Sequence, residues 1–170
     1  MAGADSSIYI APTVGIPDVL LDANWVVGAV IFDGEGRAFA QRRSYDRKLF
    51  PGCWDVVGGH VETGEGLLIA LARELHEETG WTLHQVLASL GTYEWSVDST
   101  TRHEADYIVS VRGDLNDPVL EPGKHCEFGW LTVGDLPRLL ENRDPDDRFI
   151  HDLFAKAFAA FPSLNGQWSR

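Results

Sequence analysis

Between Gly66 and Gly80 the apolar residues Leu67, Leu68, Leu71, Ala72 and Leu75 recur with the period of an α-helix, and Gly80 stands where a helix stops. Glu74, Glu77 and Glu78 are spaced i, i+3 and i+4, so a turn of about 100° per residue sets them on one face, apart from the apolar sector. The apolar sector must dock on a sheet. The three carboxylates repel one another unless something positive lies among them. Oxygen-only clusters suit hard cations, and Mg²⁺ is held by one or two carboxylates together with water and substrate phosphates. On these residues alone a metal site and a solvated acidic face describe the helix equally well. Arg73 is placed to pin one carboxylate through paired charge-assisted bonds. The glycines Gly58, Gly59 and Gly64 permit a tight loop that brings backbone close to a metal or ligand.

The flanking sequence supplies the sheet. Trp25 to Phe32 is β-branched and apolar on both faces, the pattern of a buried strand. Asp33 to Gly36 has turn chemistry, and Arg37 to Arg42 alternates as a second strand, so the two are expected to form a hairpin. Further strands are expected at Trp54 to Val57, Thr82 to Trp95, Ala105 to Val111 and Glu127 to Leu131. A short helix is expected at Leu136 to Leu140 and an amphipathic one at Asp146 to Ala160. Strands mixed with helices imply an α/β sandwich, with helices on both faces of a mixed sheet. The expected organisation is an N-terminal arm over 1–22, one domain over 23–162 and a tail over 163–170. Val19, Leu20 and Leu21 are expected to add an edge strand or to pack on the domain.

With 14 Lys and Arg against 26 Asp and Glu the net charge is −12, which argues against a nucleic acid partner, because backbone phosphates select a basic footprint. Cys53 and Cys126 form no zinc or CxxC spacing and suit free thiols in a reducing compartment. The first residues lack the basic and apolar regions of a signal peptide, and the apolar run from Trp25 is too short to span a bilayer. The expected protein is cytoplasmic, with no membrane partner, as a monomer or homodimer.

The stretch Gly59 to Trp81, GHVETGEGLLIALARELHEETGW, resembles the Nudix box, G-x5-E-x7-R-E-U-x-E-E-x-G-U with U a bulky apolar residue. Gly59, Glu65, Arg73, Glu74, Leu75, Glu77, Glu78 and Gly80 occupy its positions, and Trp81 departs only in being aromatic where an aliphatic residue is usual. The resemblance extends over roughly Trp25 to Ala160. It implies the Nudix fold, an α-β-α sandwich around a mixed sheet, and hydrolysis of a nucleoside diphosphate derivative with Mg²⁺, Mn²⁺ being the alternative cation. Carried over by position, Glu74, Glu77, Glu78 and the Gly58 carbonyl are metal ligands, while Glu65 and Arg73 brace the loop and helix. Glu77 or Glu78 would orient or deprotonate water. The family often recruits a further acid near the late strand, for which Glu127 is the candidate beside its plainer description as an exposed strand residue.

Arg43 is placed to bind a terminal phosphate, with Arg42 pointing the other way. Trp54, Tyr93, Trp95 and Tyr107 are candidates for stacking on a base, although strand aromatics are more often core. His60, His103 and His125 read as polar surface or loop residues, and Cys53 as packing. The substrate expected first is a small nucleotide, a nucleoside triphosphate with an intact or damaged base. ADP-ribose, nucleotide sugars and dinucleoside polyphosphates are the alternatives. An isomerase with a reactive cysteine and a catalytically silent nucleotide-binding module are the rival functions.

Overall fold

The computed structural model describes residues 7–19 and 24–167. In chain order the strands are β1 (Tyr9–Ile10), β2 (Trp25–Ile31), β3 (Ala38–Arg43), β4 (Trp54–Asp55) and β5 (Val57–His60); then follow α1 (Leu67–Thr79), β6 (Thr82–Val97), β7 (Thr100–Arg112) and β8 (His125–Leu131). A 3₁₀ segment, Val133–Leu140, precedes the last long helix, α2 (Phe149–Leu164).

Five strands form a mixed sheet in the order β1-β6-β7-β2-β5, and three form an antiparallel sheet in the order β4-β3-β8. Strand β2 lies at the centre of the site, parallel to β7 and antiparallel to β5. Its two-sided apolar character has a direct cause. Val27, Ala29 and Ile31 pack with Leu67, Ala70, Leu71 and Leu75 of α1, whereas Val30 and Phe32 pack with Leu153, Phe154 and Ala157 of α2. The molecule is therefore the expected α/β sandwich, with a second small sheet inserted on the α2 side.

The expected hairpin between β2 and β3 does not form. The two share the bridge Phe32↔Ala38 and then diverge, β2 into the larger sheet and β3 into the smaller. The expected single strand from Trp54 also divides between the sheets, as β4 and β5. The long hairpin is instead β6–β7, closed by Asp98 and Ser99, both at positive φ as a two-residue turn requires. An edge strand of the arm is Tyr9–Ile10, parallel to β6; in the Val19 patch Val19 packs on the α1-side core, while Leu20 and Leu21 lie outside the described residues. Helix α1 ends as expected: Gly80 adopts φ 77° and its N–H donates to His76 O.

Candidate active site

Helix α1 packs against β5, and this contact brings the acidic face to the backbone of Gly58 and Gly59. Glu78 is buried, and its Oε2 accepts from Gln41 Nε2 at 2.5 Å and from the Gly58 N–H at 3.1 Å. Glu74 lies over Gly59 so closely that a Cβ there would overlap its carboxyl group. Arg73 clasps Glu65 with Nε and Nη2, both at 2.8 Å, and reaches Glu74 Oε1 with Nη1 at 2.8 Å. It also donates to His60 O at 3.0 Å. One guanidinium thus stitches the loop before α1 to both the helix and β5, a use of its planar fork that lysine could not reproduce. Glu77 stands at the rim, 44% exposed, with Arg73 Nη1 at 3.4 Å.

The electrostatics of this end favour a cation. Burial holds Glu78 well above the usual carboxylate range against the opposing Gly58 and Gln41 hydrogen bonds, and Glu74 and Asp55 push it further. Burial also raises Glu74, opposed by Arg73. Among the described residues no three His, Cys, Asp or Glu side chains converge to enclose a metal ion by themselves. The donors at hand fit a hard cation of the Mg²⁺ kind, which takes few protein carboxylates and completes its shell with water and substrate oxygen.

Glu74, Glu78, Gly58 and Gly59 open onto a cavity of about 510 Å³ between the two sheets and the start of α2. One side is cationic, with Arg43, Arg47 and Lys124. Arg43 is held by Leu49 O at 2.9 Å from Nε and lies 3.7 Å from Asp55. The hydrogen bond to Glu121 raises Lys124, and the charges of Glu74 and Glu78 add to it. His125 is pushed down to about 3 by burial and by Arg43, Arg47 and Lys124, so it is a neutral imidazole near neutral pH. The opposite side carries Trp95, Ser96 and Glu104.

The cavity therefore gathers Glu74, Glu78, Gly58, Gly59, Arg43 and Trp95 from the sequence expectations, with Glu65 and Arg73 bracing it. Other expectations are corrected. Glu127 is not part of the cluster: it pairs with Arg42 at 3.0 Å, and Arg42 also takes Glu141 at 2.6 Å. Alternation along β3 turns Gln41 toward Glu78, so Arg42 and its register partner Glu127 face away. Trp54 offers no stacking face, being fully buried between the guanidinium groups of Arg42 and Arg138, whose carbons lie 4.8 and 4.7 Å from its ring. Tyr107 is buried under α1, and the Tyr93 hydroxyl is spent on Leu90 O. His125 is buried in the cavity wall, contrary to its surface reading. Cys53 is buried, with its thiol 3.3 Å from Asn142 O, as packing requires.

Gln41, Asp55, Lys124, Glu104 and Asp106 are site residues that the sequence reading passes over. Gln41 carries a usable signal, since it alternates onto one face of β3 with Phe39 and Arg43, the cavity arginine.

Comparison with known proteins follows this geometry. The family model described as NUDIX domain matches residues 23–153. An uncharacterized Nudix hydrolase of Nostoc sp. is 32% identical over 125 residues, covering 71% of this chain and 70% of its own. The nucleoside triphosphatase NudI of Escherichia coli is 36% identical over 115 residues, covering 62% and 80%. The solved structure of a Nudix hydrolase from Nitrosomonas europaea superimposes with a TM-score of 0.66 at 21% identity, covering 82% of this chain and 90% of that one. No helix among the described residues is long and apolar enough to cross a membrane.

Proposed function

This chain belongs to the Nudix family, and on that premise we propose that it hydrolyses a phosphoanhydride bond of a nucleoside triphosphate with a divalent cation, Mg²⁺ by preference and Mn²⁺ in its place. The observation that carries this reading is the meeting of Glu74 and Glu78 with Arg43, Arg47 and Lys124 around one cavity. A diphosphate would answer the cationic set, and a divalent cation bound with it would answer the carboxylates. The bound cation supplies charge neutralisation on nonbridging oxygens and a more acidic water. Glu74, Glu78 and the Gly58 carbonyl are the donors that hold it. Arg73 and Glu65 keep Glu74 in place. Glu77 or Glu78 accepts the proton of the attacking water. Arg43 binds the terminal phosphate, and Gly59 lets the substrate approach the backbone.

The cationic side favours a triphosphate over a sugar diphosphate, because it provides charge for a phosphate beyond the bond that breaks. The name of the Escherichia coli relative, a nucleoside triphosphatase, points the same way. The isomerase alternative loses support because Cys53 is buried and is not among the cavity-lining residues. Two free thiols agree with a reducing, cytoplasmic setting.

The test is release of phosphate or diphosphate from nucleoside triphosphates, ADP-ribose, nucleotide sugars and dinucleoside polyphosphates, with Mg²⁺ and with a chelator. Metal-dependent cleavage of triphosphates is expected. Nucleotide binding with no turnover on any of these compounds would replace this reading with the silent binding module.

A further inference from the structure

The wall of the cavity holds one acid that the hydrolysis does not use, Glu104, and a second, Asp106, is buried beside it. Glu104 and Asp106 are two apart on β7 and share its α2 face. In the parallel register with β2 they stand beside Val26 and Gly28. Gly28 lines the cavity, and it must be glycine because a Cβ would overlap Asp106 Oδ1. Asp106 is 0% exposed, and no N–H or hydroxyl group donates to either of its oxygens. Glu104, also buried, lines the cavity and receives one bond, from Trp95 Nε1 to Oε2 at 2.7 Å. Neither acid has a cationic partner among the described residues: the nearby Arg102 donates toward His60 Nε2 and lies 5.2 Å over the Trp95 ring. Two buried carboxyls without a counter-charge are costly, in contrast to the buried Glu78, which accepts two hydrogen bonds, and the buried Asp33, which pairs with Arg37.

Burial and the neighbouring Glu104 hold Asp106 well above the usual carboxylate range, and a side-chain hydrogen bond joins the two acids. A carboxylate offers about four lone-pair positions. Trp95 and Asp106 occupy two of those on Glu104, which leaves two acceptor positions on a side chain that lines the cavity with the Trp95 ring. Two adjacent acceptors fit two adjacent N–H donors. Guanine presents that pair, its ring N1–H next to the exocyclic amine. Adenine and cytosine set a ring acceptor beside their amine, hypoxanthine lacks the amine, and uracil flanks its N–H with carbonyls. The distance also suits a nucleoside: β2 separates β7 from β5, so Glu104 and the Gly58–Gly59 backbone are two strand spacings, roughly 10 Å, apart.

We propose that Glu104, positioned by Asp106 and Trp95, is the specificity-determining contact of this cavity and selects a guanine nucleotide through its paired N–H edge. The inference rests on reading the cavity as a nucleotide site. It narrows the substrate class to guanine nucleotides.

The test uses monophosphates, which contain no anhydride, and measures their binding by calorimetry to the intact chain. GMP is expected to bind about ten-fold or more tightly than IMP and AMP. In Glu104→Gln that ratio falls to near one, because the new amide N–H opposes a guanine donor. Equal affinity of the unmodified chain for GMP and IMP overturns the proposal without any variant, as does a preference that survives Glu104→Gln. A chain that selects GMP yet cleaves no triphosphate would keep this inference and sink the hydrolase reading, so the two can fail separately.

Discussion

The side-chain amide of Gln41 donates to Glu78 Oε2 at 2.5 Å, joining the smaller sheet to the helix that carries the acids. With the Gly58 N–H on the same oxygen, Glu78 is fixed from two different sheets. Its other oxygen is left for a ligand. A hydrogen bond of this kind orients a metal-binding carboxylate without touching the metal, and the loss of such supports costs about 10- to 100-fold in metal affinity. Gln41→Leu is therefore expected to raise the Mg²⁺ concentration needed for half-maximal activity by that factor. A Mg²⁺ titration of the variant with an unchanged midpoint would show that Gln41 has no such role.

Glu77→Gln is expected to lower kcat by about 10²- to 10⁴-fold, the range for removing a group that moves or orients a proton. Glu77 is 44% exposed, so circular dichroism and thermal melting should stay as they are. Retention of ordinary turnover would remove Glu77 from the chemistry.

Gly59→Ala puts a methyl group where the Glu74 carboxyl lies. The expected outcome is a stability loss of about 1–3 kcal/mol together with weakened metal activation, since the added methyl strains the Glu74 carboxyl and the packing around it. Glu74 is held by Arg73 and cannot retreat without breaking that pair. Chemical denaturation and a Mg²⁺ titration read the two effects. A variant normal in both would mean that the helix and β5 are less tightly seated than described.

The Glu104–Asp106 pair makes a pH prediction. The Asp106 carboxyl binds its proton more tightly in the folded chain than in the unfolded one, with burial and then Glu104 as causes. Its contribution to stability is thus complete below the ordinary aspartate range, near 3.8, and is lost as pH rises through the raised folded value. Asp106→Asn has no proton to lose. Its melting temperature relative to the unmodified chain should be higher at about pH 8 than at about pH 5. A difference that is flat across that interval would contradict a protonated Asp106.

The box helix was legible because its signals are local: a 3.6-residue period, acids at i, i+3 and i+4, and a terminal glycine are complete within one stretch of chain. The buried strand β2 was legible for the same reason. What escaped depends on partners remote in sequence. Nothing between Phe32 and Ala38 says that the strands on either side will enter different sheets, since that follows from the helices that cover them. Glu127 was placed in the site by proximity to a strand start, but its side is decided by pairing with Arg42, next to the inward Gln41. Lys124 and His125 reach the cavity only because β8 pairs with β3. Asp106 carries no local signal within its strand, because its close approach is to Gly28, 78 residues earlier.

The parting of β2 and β3 after Phe32↔Ala38 leaves the two flanks of the cavity on separate ladders, with that bridge the backbone pairing between their strands among the described residues. The aperture is consequently governed by the wedge of side chains between the ladders, Trp54, Leu131 and Phe154 among them, and not by interstrand hydrogen bonds. A change of volume in that wedge alters the gape of the cleft while every ligand-facing residue keeps its identity. Substrate size can thus be retuned from the interior, by residues that no ligand ever meets.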